Sequence, residues 1–271
     1  MMWARRAAVA VATILTFGTA HATEPQTCSL LIDANTGATI YEAGVSCDTR
    51  FPPASTFKLP LALMGFENGL LTSADSPALP YDPAIDAPLE VWRHTTTPRR
   101  WLRYSVIWYS WWLTGETGAE AFQAFVDKID YGNRDLSGAP GKNNGLTHAW
   151  LGTSLKISPK EQAEFLHRVH ARSFDLTDDT YDLLDQTISR FTVAGWPDSV
   201  AGKTGTTWAT DDAGHRTRTQ FGWFIGWGEH QGRNLIFVRL QVENDPPKGH
   251  AGGRARDYVL KYLPDWLSHV P

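Results

Sequence analysis

Ser55 and Lys58 form an S-x-x-K motif, in which a hydroxyl and an amine stand three residues apart. On a helix this spacing places both side chains on one face, one turn apart. A serine hydroxyl becomes an effective nucleophile only when a base accepts its proton. The motif therefore predicts serine nucleophilic catalysis if the chain supplies such a base. Taken alone, it is also the pattern of a helix N-cap serine followed by a solvated lysine.

The residues that follow the motif favour the catalytic interpretation. Pro60 is tolerated only in the first turn of a helix, so we expect a helix that begins near Phe57 and has Ser55 at its N-terminus. Free N–H groups at that end favour developing negative charge. Residues 59–64 are mostly apolar, and a lysine beside such a run is not expected to be simply solvated.

A second motif, Lys203-Thr204-Gly205, opens the strand-rich C-terminal part of the chain. On a strand, its ammonium and hydroxyl can hold a substrate carboxylate, and its glycine lets a ligand approach the backbone closely. Together the two motifs resemble the signature of serine β-lactamases and penicillin-binding proteins. The S-D-N motif of that signature is missing, and Ser105-Val106-Ile107 offers a hydroxyl without an amide.

The ordered set of motifs resembles the class D β-lactamases, the oxacillinases, and covers most of the chain beyond its first residues. Ile107 departs from the valine that is usual in the family, but it keeps the apolar, β-branched character. The segments that carry the resemblance are 53–58, Trp92, 105–107, Tyr131-Gly132-Asn133, Trp150, 203–205 and 222–227.

The resemblance implies that CO2 carboxylates Lys58, so that the base is a carbamate anion and no bound cofactor or metal is needed beyond CO2 or bicarbonate. A lysine must be neutral to attack CO2, and burial lowers its pKa. We expect Trp150 to donate its indole N–H to the carbamate. Apolar walls are expected from Phe57, Ile107, Trp150 and Leu151.

The family also implies a role for each motif residue. Ser55 attacks the lactam carbonyl, Lys58 takes its proton, and Ser105 relays a proton to the leaving nitrogen. The backbone N–H groups of Ser55 and Thr206 form the oxyanion hole. An arginine of the last helix is expected to pair with the substrate carboxylate, and we favour Arg256 over Arg254. The expected substrate-binding residues are Ile107, Leu151, Lys203, Thr204, Gly205, Thr206 and Arg256.

The N-terminus predicts export. Arg5 and Arg6 precede a short apolar stretch, and Ala20-His21-Ala22 fits a signal-peptidase site, so cleavage is expected after Ala22. The stretch is too short for a permanent membrane anchor. The expected product is soluble and periplasmic or secreted, where Cys28 and Cys47 can form a disulfide. Strand patterns at 29–32 and 39–42 predict a hairpin, which would bring Cys28 near Cys47. Two free buried thiols are the alternative.

Strand patterns at both ends of the chain and helical patterns between them predict an α/β (α+β) fold. Its antiparallel sheet is built from both termini and flanked by helices, with an all-helical insertion. The expected segments are a signal peptide at 1–22, an α/β domain at 23–65 and 196–271, and a helical domain at 66–195. We expect a capping box at Ser158, a last helix over 256–267 and a loop over 208–219.

The formal net charge is −4 and there is no basic stripe, which argues against nucleic acid as a partner. The expected partners are small-molecule β-lactams, and the chain is expected to be a monomer or homodimer. Two other functions share S-x-x-K and K-T-G. A D-Ala-D-Ala transpeptidase normally keeps an S-x-N asparagine, and a β-lactam sensor domain acylates without turnover.

Overall fold

The structure is a computed structural model, and it describes residues 26–211 and 215–268. A six-stranded antiparallel sheet forms its centre, in the order β2-β1-β6-β5-β4-β3. Because β1 pairs with β6, the N-terminal and C-terminal parts of the described chain meet within the sheet, as the sequence predicted. The strands are β1 Thr27–Asp33, β2 Thr39–Ala43, β3 Arg190–Thr192, β4 Ser199–Thr210, β5 Arg216–His230 and β6 Arg233–Asn244.

Seven helices lie between β2 and β4 in the chain, and an eighth closes the described fold. Short 3-10 turns at Ala54–Phe57 and Glu90–Trp92 precede the first two helices. The helices are α1 Lys58–Glu67, α2 Pro98–Tyr104, α3 Ile107–Thr117, α4 Ala119–Lys128, α5 Gly145–His148, α6 Pro159–His170, α7 Asp178–Thr187 and α8 Ala251–Leu267. No helix within the described ranges is long and apolar enough to span a bilayer.

The sheet separates two apolar layers, because successive side chains of a strand point to opposite faces. On β5, Trp223 and Ile225 belong to the larger layer, which lies under the inserted helices. Phe224, between them, belongs to the smaller layer with Val259 and Leu263 of α8. This burial on both faces explains why residues 221–227 form a nearly continuous apolar run.

Several local predictions are confirmed. The β1–β2 hairpin forms, and Ser158 caps α6 in a complete capping box with Glu161. Cys28 and Cys47 form a disulfide, and no free cysteine remains in the described chain. The disulfide therefore ties the start of β1 to the segment that leads to Ser55.

Two element boundaries differ from the predictions. Residues 208–219 are mostly strand, since β4 continues to Thr210 and β5 begins at Arg216. The strands form a long hairpin in which Thr210 pairs with Arg216. Polar residues along this extension conceal its strand character in the sequence. Helix α8 begins at Ala251, five residues before the predicted start, in spite of two glycines in its first turn.

The division into two domains stays a prediction. The sheet contains β3, which starts at Arg190, six residues before the predicted return of the α/β domain. The predicted signal peptide and its cleavage site lie outside the described residues.

Candidate active site

Ser55 lies in the 3-10 turn that leads directly into α1. The preceding residue, Ala54, has a φ of 52°, and its N–H donates to the carbonyl of Trp150 (3.0 Å). Thr56 closes the turn by donating its hydroxyl to the carbonyl of Pro53 (2.7 Å). These bonds fix Ser55 at the helix N-terminus, where the sequence places it.

Lys58 is the first residue of α1 and is completely buried. No hydrogen-bond acceptor among the described residues reaches its Nζ. Burial lowers the pKa of Lys58 well below the usual lysine value, and the positive charge of Lys203 lowers it further. A charged, unpaired ammonium would be costly at this position, so the site favours the neutral amine of Lys58.

Trp150 is the second buried group with an unused hydrogen-bonding atom. Its side chain has no exposed surface, and its indole N–H has no acceptor among the described residues. The ring packs beside Phe57, with ring centroids 5.4 Å apart, and edge-on to Phe122 at 6.3 Å. Phe57 and Trp150, two of the four residues predicted to form the apolar wall, are therefore packed together. Phe122 packs with them, although only its place in an ordinary helical pattern marks it in the sequence.

The Tyr131-Gly132-Asn133 motif holds the loop that carries Trp150. The Asn133 side chain accepts from the N–H of Lys156 (2.9 Å) and donates to the carbonyl of Ser154 (2.8 Å). Gly132 has a φ of 57°, and a Cβ there would lie 2.2 Å from the carbonyl oxygen of Lys156. The motif thus anchors residues 154–156, which follow Trp150 in the same loop.

Ser105 lies at the junction of α2 and α3, where it ends α2 in the left-handed conformation with a φ of 54°. Lys203 of β4 is almost completely buried, and its Nζ donates to Ser105 Oγ (2.6 Å) and to the carbonyl of Thr204 (2.9 Å). Burial lowers the pKa of Lys203 to about 7. The S-x-I and K-T-G motifs therefore meet in one hydrogen-bonded pair.

Glycine is required where the K-T-G strand passes the Ser55 turn. A Cβ on Gly205 would lie 2.9 Å from the carbonyl oxygen of Pro53 and 3.2 Å from the backbone nitrogen of Thr56. The start of α8 lies against the same strand, because the N–H of Gly252 donates to Thr206 Oγ1 (2.8 Å). The structure thus brings the predicted catalytic residues Ser55, Lys58 and Ser105 together with Lys203, predicted to bind substrate, in one region between α1, β4 and the α2–α3 junction.

The remaining predicted residues surround this region. Ile107 opens α3 and is buried, while Leu151 is half-buried directly after Trp150. Arg254 is held by Glu243, whose carboxylate accepts from its Nε at 2.9 Å. Arg256 lines an open groove together with Thr204. Of the two arginines, Arg256 is therefore the one placed beside the K-T-G motif.

Comparisons with known proteins agree with this geometry. The family described as "Penicillin binding protein transpeptidase domain" matches residues 18–264. The chain is 42% identical to the β-lactamase OXA-9 of Klebsiella pneumoniae, over 88% of this chain and 86% of that protein. It is 34% identical to OXA-1 of Escherichia coli, over 80% and 76% respectively. The crystal structure of the class D β-lactamase OXA-427 superposes with a TM-score of 0.82 at 44% identity, covering 89% of this chain and 98% of that one.

The motifs, the antiparallel fold and these relatives agree with one another over most of the chain. The chain is a member of the class D, oxacillinase-type family of serine β-lactamases.

Proposed function

We propose that this enzyme hydrolyses β-lactam antibiotics through an acyl-enzyme on Ser55, with N-carboxylated Lys58 as the general base of both half-reactions. One observation carries the proposal. Lys58 Nζ and Trp150 Nε1 are both buried next to the Ser55 turn, and neither has a hydrogen-bond partner among the described residues. Native proteins rarely leave such groups unsatisfied, so each orphan group calls for an explanation.

A carbamate on Lys58 accounts for both orphan groups. A neutral lysine amine can attack CO2, and burial provides the neutral form. The indole N–H of Trp150 is a donor without an acceptor, which suits an anionic oxygen. Carboxylated Lys58 would supply a base that is anionic at neutral pH. The apolar rings of Phe57 and Phe122 around Trp150 would keep water from promoting loss of CO2.

In the acylation half-reaction, Ser55 Oγ forms a bond to the lactam carbonyl carbon as the lactam C–N bond breaks. The hydroxyl proton passes to the Lys58 base, and a proton reaches the leaving nitrogen through Ser105. Lys203 orients Ser105 for this task, because its Nζ donates to Ser105 Oγ. In deacylation, the Lys58 base accepts a proton from water, whose oxygen forms a bond to the ester carbonyl carbon. The bond from that carbon to Ser55 Oγ then breaks, and Ser55 takes the proton back from Lys58.

Substrate binding is proposed to involve two sets of groups. The N–H groups of Ser55 and Thr206 would stabilise the negative charge of the tetrahedral intermediates, and Gly205 lets their two segments approach. Lys203, Thr204 and Arg256 would hold the substrate carboxylate, with Ile107 and Leu151 as apolar contacts.

We also propose that the chain is exported to the periplasm or secreted after cleavage behind Ala22. The N-terminal sequence pattern and the Cys28–Cys47 disulfide support this location, because disulfides persist in oxidising compartments. Cell fractionation followed by mass spectrometry of the mature N-terminus tests it. A cytoplasmic, uncleaved product would contradict it.

Turnover of nitrocefin tests the catalytic proposal. Sustained hydrolysis, lost in Ser55→Ala and in Lys58→Ala, is the expected result. The matching transpeptidase family suggests the competing function, a domain that becomes acylated and stays so. A single stoichiometric burst, with a stable Ser55 adduct by mass spectrometry, would favour that alternative.

A further inference from the structure

An open groove of about 770 Å³ lies between the K-T-G strand, α2, residues 185–191 and α8. Its lining includes Thr204 and Tyr104, the sequence neighbours of Lys203 and Ser105, whose side chains form the hydrogen-bonded pair. Its walls carry four arginines, Arg99 and Arg103 of α2, Arg190 of β3 and Arg256 of α8. We call this feature the arginine groove.

The arginine groove has an excess of positive charge. Four guanidinium groups line it, against one carboxylate, that of Asp185. Asp185 is already engaged, since it accepts from Arg190 at 2.7 Å and from the indole of Trp227 at 3.2 Å.

Three of the four guanidinium groups have a carboxylate partner. Arg99 is held by Asp75 at 3.3 Å, Arg190 by Asp185, and Arg256 by its neighbour Asp257 at 2.8 Å. Arg103 is exposed, and its guanidinium lies 5.5 Å from the ring centroid of Tyr104. Within the described ranges, Arg103 makes no ion pair, so its charge is open to a ligand.

The direction of the groove determines which part of a substrate can enter it. Gly205 packs against the Ser55 turn, whereas the N–H of Gly202 donates to the carbonyl of Ser189, beside β3. A path from Gly205 past Thr204 therefore leads away from Ser55 and into the groove. A substrate with its lactam carbonyl at Ser55 and its carboxylate at Thr204 and Arg256 would present to the groove whatever it carries beyond that carboxylate.

We propose that the arginine groove is a subsite for a negatively charged C3 substituent of cephalosporins, with Arg103 as its principal unpaired cation. In a cephalosporin the C3 substituent is attached next to the carbon that bears the carboxylate, and it points away from the lactam ring. Penicillins have two methyl groups there and nothing long enough to enter. This inference rests on the proposed β-lactamase function and on the pose described above.

Three cephalosporins with the same C7 aminothiazole-methoxyimino side chain provide the test. The C3 group is anionic in ceftriaxone, neutral in cefotaxime and cationic in cefepime. Acylation efficiency is measured by competition against nitrocefin, so that slow deacylation does not matter. Acylation efficiency is expected to be highest for ceftriaxone, intermediate for cefotaxime and lowest for cefepime. The ceftriaxone-to-cefepime ratio of acylation efficiencies should fall as salt is added, because exposed charges are screened.

Substitutions at Arg103 identify the source of the preference. Arg103→Gln should reduce the ceftriaxone-to-cefepime ratio roughly threefold or more, and Arg103→Glu should reduce it further, since exposed charge pairs each contribute modestly. Arg103→Lys should keep most of the ceftriaxone-to-cefepime ratio, because it keeps the positive charge. Arg233→Gln, at the turn between β5 and β6, removes the same charge elsewhere and is the matched control. The ceftriaxone-to-cefepime ratio of Arg233→Gln should equal that of the parent enzyme.

The outcomes separate this inference from the function on which it rests. If nitrocefin is turned over but the three cephalosporins acylate without a charge preference, the subsite proposal is wrong. The same holds if Arg103→Gln and Arg233→Gln change the ratio equally, since that would be a general charge effect. If neither nitrocefin nor benzylpenicillin is turned over, the proposed β-lactamase function itself fails.

Discussion

At the scale of single residues, the site depends on two buried lysines that differ in their hydrogen-bond partners. Lys58 has no hydrogen-bond partner within the described chain, whereas Lys203 has two acceptors, Ser105 Oγ and the carbonyl of Thr204. Both have lowered pKa values because they are buried. A neutral Lys58 suits reaction with CO2, and a Lys203 that titrates near neutrality suits binding of an anion.

Trp150→Phe isolates the contribution of the indole N–H. The substitution keeps an aromatic ring beside Phe57 and removes the only donor proposed for the carbamate. We expect deacylation to slow by about 10²–10⁴-fold, the usual contribution of a general base, and acylation to slow less. Single-turnover and steady-state kinetics separate the two steps.

Trp101→Phe is the matched control for this change. Trp101 is equally buried, but its indole already donates to Ser110 Oγ (2.9 Å). We expect Trp101→Phe to lower the melting temperature while deacylation stays close to that of the parent enzyme. Slowing of both steps in Trp150→Phe that is no greater than in Trp101→Phe would mean that Trp150 has only a packing role.

The pH dependence of substrate affinity should follow Lys203. A lysine is charged below its pKa, so Lys203 loses its charge as the pH rises through about 7. KM for an anionic penicillin should therefore increase between about pH 6 and 9. Saturating bicarbonate should move this increase to higher pH, since carboxylation turns the neutral amine of Lys58 into an anion, and a nearby anion favours the charged form of Lys203.

The methyl ester of the same penicillin is the control for that experiment. It lacks the carboxylate, so its KM should be nearly constant over the same pH range. A KM for the free acid that is equally constant would show that the charge of Lys203 does not determine binding.

At the scale of secondary-structure elements, α8 positions β4 through two neighbouring glycines with opposite surroundings. A Cβ on Gly252 would lie 2.4 Å from the carbonyl oxygen of Gly205, whereas nothing lies within 4 Å of a Cβ on Gly253. Gly252→Ala should therefore destabilise the protein by about 1–3 kcal/mol and slow acylation, because it pushes on the K-T-G strand.

Gly253→Ala should have the reverse effect. It replaces glycine by the best helix former on the same helix and should stabilise the protein by about 0.5–1 kcal/mol, with acylation little changed. Thermal unfolding and acylation rates of the two variants provide the comparison. Similar losses of stability and acylation rate in Gly252→Ala and Gly253→Ala would mean that α8 does not press on β4 as described.

The same elements show what the sequence can predict. Local signals were sufficient for the Ser158 capping box and for the hairpin before Ser55. The start of α8 was missed because the glycines at 252 and 253 oppose a helix locally, while close packing against Gly205 requires glycine at 252. The ion pair that holds Arg254 could not be predicted, because its partner Glu243 is on another element. The arginine groove could not be predicted either, because α2, β3 and α8 meet only in the folded structure.

At the scale of the whole molecule, the fold joins its two ends through the pairing of β1 with β6. The Cys28–Cys47 disulfide closes a loop with a sequence separation of 19 residues at this junction. Removing it in a Cys28→Ser, Cys47→Ser variant should cost about 3 kcal/mol, as chain-entropy estimates give for a loop of this size. Denaturant unfolding of the variant and the oxidised parent measures the difference. An unchanged unfolding midpoint would mean that sheet closure alone holds the junction.

Carboxylation of Lys58 is the claim that connects the buried lysine, the unpaired indole and the chemistry of Ser55. Carbon-13 NMR in labelled bicarbonate tests it most directly, together with nitrocefin turnover on the same samples. We predict one protein carbamate signal that is absent in Lys58→Ala, reduced in Trp150→Phe, and lost at acidic pH in parallel with activity; added bicarbonate should restore both. Full activity in enzyme without any carbamate signal would contradict the account.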